Sequence, residues 1–138
     1  MTNREIKFRT WDIFNGYFLL SRGEEYGESP FVFYNLGVPY NLSKIFSNKA
    51  RFVVQQFTGL LDKNNKEIYE GDILNISEYN PISEKFEESL EVVCWRYCGF
   101  VTLHLKNHDQ DWCGGNGICD TNNLEIVGNI FENPELLK

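Results

Sequence analysis

The segment Glu5-Ile6-Lys7-Phe8-Arg9-Thr10-Trp11 alternates charged and apolar residues, and Asn15-Gly16 follows four positions later. A strand turns successive side chains to opposite faces, whereas a helix would scatter this pattern around its axis. Ile6 and Phe8 therefore share one face, and Glu5, Lys7 and Arg9 share the other. Asn-Gly readily takes φ > 0 at both central positions of a two-residue turn, which predicts a type I′ hairpin over residues 5–20.

The rest of the chain reads mainly as strands and loops. Residues 21–41 hold Gly23, Gly27, Pro30, Gly37 and Pro39 among Phe31, Phe33, Tyr34 and Tyr40. This composition predicts an ordered loop or short strand that lends rings to a core. Leu42 to Phe46 fits one helical turn started by Ser43. Strands are expected at 51–58, 73–76, 90–95, 100–105 and 124–130. Asp62-Lys-Asn-Asn-Lys66 makes a polar turn, 77–88 a polar acidic loop, 96–99 a tight turn and 106–121 a loop. Pro134 should end regular structure. This order predicts a mainly β fold: an N-terminal hairpin followed by a small SH3-like, partly open barrel or a curved antiparallel sheet.

With 138 residues, one domain is expected over 1–138. Its parts would be the hairpin and aromatic-rich residues 1–58 and the barrel-like residues 59–138. No apolar run approaches the ~20 residues of a membrane-spanning helix. The N-terminus lacks the apolar core of a signal peptide, so a bacterial cytoplasmic location is expected. Cys94, Cys98, Cys113 and Cys119 should then be thiols.

Net charge is −7, and it is unevenly spread. Residues 1–69 carry nine Lys/Arg and seven Asp/Glu, whereas 70–138 carry four and thirteen. The acidic second half repels phosphate backbones, so general nucleic-acid binding is disfavoured. A chain with two signs of charge can attract another copy of itself or present one side to a partner.

The constellations that could carry chemistry are weak. Cys94, Cys98, His104, His108, Cys113 and Cys119 lie close in sequence, but their spacings are Cys-x3-Cys, His-x3-His and Cys-x5-Cys. None is a tight zinc knuckle. Strand parity also separates Cys94, expected in the core, from His104, expected toward solvent. Cys113 with His104 or His108 does not define a nucleophile–base pair. Asp109-x-Asp111 lacks the other ligands of a calcium loop, and Gly114-Gly-Asn-Gly117 lacks the lysine and helix of a phosphate loop. The expectation is no catalytic site, no metal and no cofactor.

Three stretches, in order and spacing, resemble the YopX family. They are Arg4-Glu-Ile-Lys-Phe-Arg-Thr-Trp-Asp12, Gln56-Phe-Thr-Gly-Leu-Leu-Asp-Lys-Asn-Asn-Lys-Glu-Ile-Tyr-Glu-Gly-Asp-Ile-Leu74 and Leu124-Glu-Ile-Val-Gly-Asn-Ile-Phe-Glu-Asn-Pro-Glu-Leu-Leu137. Residues 21–50 and 77–121 lie outside them. The resemblance implies a phage or prophage origin, a bacterial cytoplasm and a mainly β fold, and it carries over no catalytic residue. Within these stretches Gly59 and Gly71 suit backbone angles that a Cβ penalises, and Asp72 suits capping of nearby amides.

Two functions remain. The first is a non-enzymatic interaction protein that associates with itself or with a host or phage protein. Arg4, Lys7, Arg9 and Trp11 would form its basic face, and Glu84, Glu87 and Glu88 its acidic one. The alternative is a nucleic-acid-associated protein using the basic face, or an acidic decoy of a host DNA-binding protein.

Overall fold

The structure, a computed structural model, describes residues 5–21, 32–35, 38–96, 98–105, 116–118 and 121–138. The fold is mainly β, with antiparallel sheets, one strongly curled into a half barrel, and, among the described residues, one short α-helix. The chain divides into two compact units, 1–57 and 58–138.

In the first unit β1 (Phe8–Asp12) pairs with β2 (Tyr17–Ser21) and, on its other edge, with β5 (Phe52–Leu61). β3 (Val32–Asn35) pairs with β2 and with β4 (Val38–Asn41). The 21–41 segment is thus a strand pair as far as it is described. Phe33 is fully buried with Leu19, Ile45 and Phe52, and Phe8, Tyr40 and Val54 pack around them. Helix α1 (Leu42–Phe46) buries Ile45 in that cluster. Its cap is Asn41, not Ser43: the Asn41 Oδ1 accepts from the Lys44 amide at 2.9 Å. A cap must stand one residue before the first helical turn, and Ser43 is already inside it.

The predicted hairpin forms, but its turn is not type I′. Asp12 faces Tyr17, which leaves a four-residue loop, Ile13 to Gly16. Gly16 has φ +70°, whereas Asn15 is not among the positive-φ residues. The physical reason is Asp12. Its buried carboxylate accepts from the amides of Phe14 (3.0 Å) and Asn15 (3.2 Å) and from the Asn15 side chain (2.8 Å). These bonds fold the backbone back on Asp12 before Asn15 is reached, and the Gly16 amide closes the loop on the Asp12 carbonyl at 2.8 Å.

The second unit begins in the last residues of β5. β6 (Glu67–Tyr69) is followed by a sheet of β7 (Asp72–Asn80), β8 (Lys85–Arg96), β9 (Gly99–His104), β10 (Asn116–Gly117) and β11 (Leu124–Asn129). The strand order is β10-β9-β8-β7-β11. Ile68, Leu74, Ile76, Val93 and Leu124 form its core.

The turns here are held by buried acids. The Asp72 carboxylate accepts from the Tyr69 amide (2.8 Å) and the Asn129 side chain (3.1 Å). Asp62 accepts from the amides of Asn64, Lys66 and Ile126. Gly59 and Gly71 have φ of +89° and +80°, as their places in the sequence predict. At Gly128 space is the constraint, because an added Cβ would stand 2.6 Å from Asn133 Oδ1.

Three further expectations need correction. Residues 77–88 are not a loop: β7 and β8 run on to Asn80 and Lys85 and make one long hairpin. The polar composition there reflects two solvated strand faces rather than irregular backbone. Pro134 does not end regular structure, since a 3-10 turn spans Pro134–Leu137 with proline at its start, where a missing N–H costs nothing. Cys94 is half-buried and not on the core face; Val93 and its partner Thr102 are.

Candidate interaction surface

The long hairpin is built in two parts. Near its base, Ile73 and Leu74 of β7 are fully buried, and Val93 of β8 is buried too. Beyond Ile76 and Ser89 the burial ends, and nearly every residue is exposed or half-exposed. From Ile76 to Asn80 the strand extends about 13 Å at ~3.3 Å per residue. This outer part is an arm.

Cross-strand register assigns the faces of the arm. Tyr79 lies opposite Phe86, with ring centroids 5.5 Å apart and edge to face. Glu78 lies opposite Glu87 on the other face. Like charges directly opposite each other destabilise a strand pair, so the arm's own stability does not explain that choice. The Asn80 side chain shapes the turn by accepting from the amides of Ile82 (2.9 Å) and Ser83 (3.3 Å). Glu87 accepts from the Ser83 hydroxyl (2.7 Å) and the Asn80 side chain (2.9 Å), and these bonds hold its carboxyl below the usual range.

The end of the arm is apolar. Ile82 is 94% exposed, Phe86 69% and Tyr79 54%. A large apolar side chain contributes roughly 1.5–3 kcal/mol when fully buried, against ~0–1 for an exposed charge pair. In any contact made here, Tyr79, Ile82 and Phe86 would contribute more than the surrounding carboxylates.

The sequence-predicted residues fall into two groups. Glu84, Glu87 and Glu88 lie on this arm. Lys7, Arg9 and Trp11 lie on β1 or just before it in the first unit, and Trp11 is buried. They are engaged there. The Lys7 ammonium is 3.1 Å from Glu5 and lies over the Phe57 ring at 5.9 Å. Arg9 donates to Gln55 at 2.8 Å and stacks 4.5 Å over Phe18, whose ring meets buried Trp11 edge to face. Arg4 lies outside the described residues. So do His108, Cys113, Cys119, Asp109, Asp111, Gly114 and Gly115. Among the described residues no group of three or more His, Cys, Asp or Glu is placed to hold a metal ion. Cys94 and His104 stand on opposite faces of the sheet by their register, but reversed from the expectation: half-buried His104 shares the face of buried Thr102 and Val93, and burial pushes the Cys94 thiol pKa up. No described helix is long and apolar enough to cross a membrane.

Tyr79, Ile82 and Phe86 escaped the sequence reading. The one local signal was the turn pair Asn80-Pro81 between Tyr79 and Phe86, since Ile76 and Tyr79 do not alternate.

The model of the YopX protein family matches residues 7–138, nearly the whole chain. The chain belongs to the YopX family. Among solved structures, this YopX chain is similar to one described as the crystal structure of protein EF1440 from Enterococcus faecalis. That likeness has a TM-score of 0.58 and 24% identity, and it covers 99% of this chain and 100% of that one. At this identity the likeness speaks for the fold alone. No curated protein matches the chain.

Proposed function

We propose that this YopX protein is a non-enzymatic interaction protein, and that the arm formed by residues 77–89 is its docking element. The observation that carries this reading is the exposed set Tyr79, Ile82 and Phe86 at the end of a hairpin whose outer half is exposed or half-exposed throughout. An apolar end held in solvent lowers solubility without adding to the core, which is reasonable only for a surface that becomes covered. The setting we infer is a bacterial cytoplasm, with the gene of phage or prophage origin.

Nucleic-acid association is the weaker reading. Lys7 and Arg9 already contact Glu5, Gln55, Phe57 and Phe18, and the arm's four glutamates would repel phosphate. The test is a photo-crosslinking residue placed at Ile82 in the full-length chain inside bacteria, with one at exposed Leu61 as control. Protein adducts at 82 and none at 61 are expected. No protein adduct at 82 would overturn the reading, and a nucleic-acid adduct in its place would favour the alternative.

A further inference from the structure

Resting on the arm reading, the occupant can be specified. We propose that the arm docks on a second copy of this chain, at the basic, aromatic end of its first unit. That end is formed by the loop Ile13–Gly16 and the segment 43–51. The Ile13 amide donates to the Arg51 carbonyl at 2.8 Å, and the Arg51 guanidinium lies 5.8 Å from the centre of the Phe14 ring. The Arg51 amide and the Phe52 amide both return to the Asn48 carbonyl, which brings the turn after α1 beside this loop.

The surface so formed is the arm's counterpart. Phe14 is 75% exposed, and Ile13, Tyr17 and Phe46 are also exposed. Residues 43–51 contain Lys44, Lys49 and Arg51 and no acid. Arg51 is offset by Asp12 at 2.8 Å, so the outward charge comes from exposed Lys49 and from Lys44, which is exposed with its ammonium 4.9 Å from the Tyr40 ring centre. The arm has the same make-up with the opposite sign: Tyr79, Ile82 and Phe86 among Glu78, Glu84, Glu87 and Glu88, with Lys85 the single base. The two units themselves carry +2 and −9 by sequence.

Each copy presents one arm and one counterpart surface, so the contact joins unlike surfaces. Such a contact repeats from copy to copy until a ring closes, or else runs on as a filament. Apolar burial would hold the junction and charge would orient it, so salt should weaken it without abolishing it.

The test uses two full-length variants whose changes are all at exposed positions. One is Ile82→Ser with Phe86→Ser in the arm. The other is Phe14→Ser with Lys49→Glu in the counterpart surface. Circular dichroism establishes that both are folded, and light scattering reads mass over a range of concentrations. The wild type should exceed monomer mass and grow with concentration. Each variant alone should be monomeric. Their equimolar mixture should recover a two-chain species, because one intact arm can meet one intact surface. A wild type that stays monomeric, a Phe14/Lys49 variant that assembles normally, or a mixture that stays monomeric would each overturn the proposal. The docking role of the arm would survive those outcomes if Ile82 still crosslinked to a different protein. It would fall with the proposal if Ile82 crosslinked to none.

Discussion

Asp12 organises the first unit from a position with no exposure to solvent. It closes the β1–β2 loop, meets Arg51 across the sheet at 2.8 Å, and so links two segments 39 residues apart. Burial raises its pKa, but the hydrogen bonds from Arg51 and Asn15 and the charge of Arg51 outweigh that and leave the carboxyl below its ordinary value of 3.8. A group depressed in the folded state stabilises the protein fully above its unfolded value. That contribution is lost as pH falls through the folded value. Asp12→Asn should therefore unfold with a shallower dependence on pH below about 4 than the wild type. Denaturant titrations from pH 3 to 6 measure this, and parallel pH profiles would show that Asp12 is not the linked group. Residues of this kind were only half legible. Asp72 next to Gly71 was readable as a turn acid, because its bond from the Tyr69 amide is local, although its bond from Asn129 is not. Asp12 was not, because its Arg51 partner is set by the pairing of β1 with β5, which no local pattern encodes.

The elements were more legible where one face meets a core. The alternation from Glu5 to Trp11 marked β1, and Leu90 to Trp95 marked the inner part of β8. Where both faces meet solvent, alternation no longer separates apolar from polar, and the outer halves of β7 and β8 read as loop. The same difference has a dynamic consequence. Amides at 72–76 and 91–96 are covered by Leu74, Val93 and Leu124, whereas those at 77–80 and 85–89 rest on an exposed hairpin. Local opening is easiest where little apolar surface is buried. Hydrogen exchange should be markedly faster in the outer residues than in the inner ones, with the change near Ile76 and Ser89. Uniform protection along both strands would mean that the arm is already covered in the free protein.

For the whole molecule, β5 matters most, since its ten residues begin in one unit and end in the other. Its first part pairs with β1, and its later residue Thr58 donates from its hydroxyl to the Ile68 carbonyl at 2.8 Å. Unfolding either unit removes order from a strand that the other uses. The two should therefore lose structure together, a result the sequence did not supply because the strand looked complete at Thr58. Trp11 reports on the first unit and Trp95 on the second. Variants that keep Trp11 or Trp95 as the single tryptophan, with Trp112 also replaced, should each show fluorescence and far-ultraviolet transitions at the same denaturant concentration. Separate midpoints would make the units independent. The arm stands outside this cooperative scheme. From Glu78 to Glu87 it owes the core almost nothing, so its sequence can be exchanged without renegotiating the fold. If the arm docks as proposed above, it is a natural cassette: grafting a different turn between Ser77 and Glu88 would retarget the protein while leaving the scaffold intact, and two chains of this kind could diverge in what they hold simply by trading ten residues.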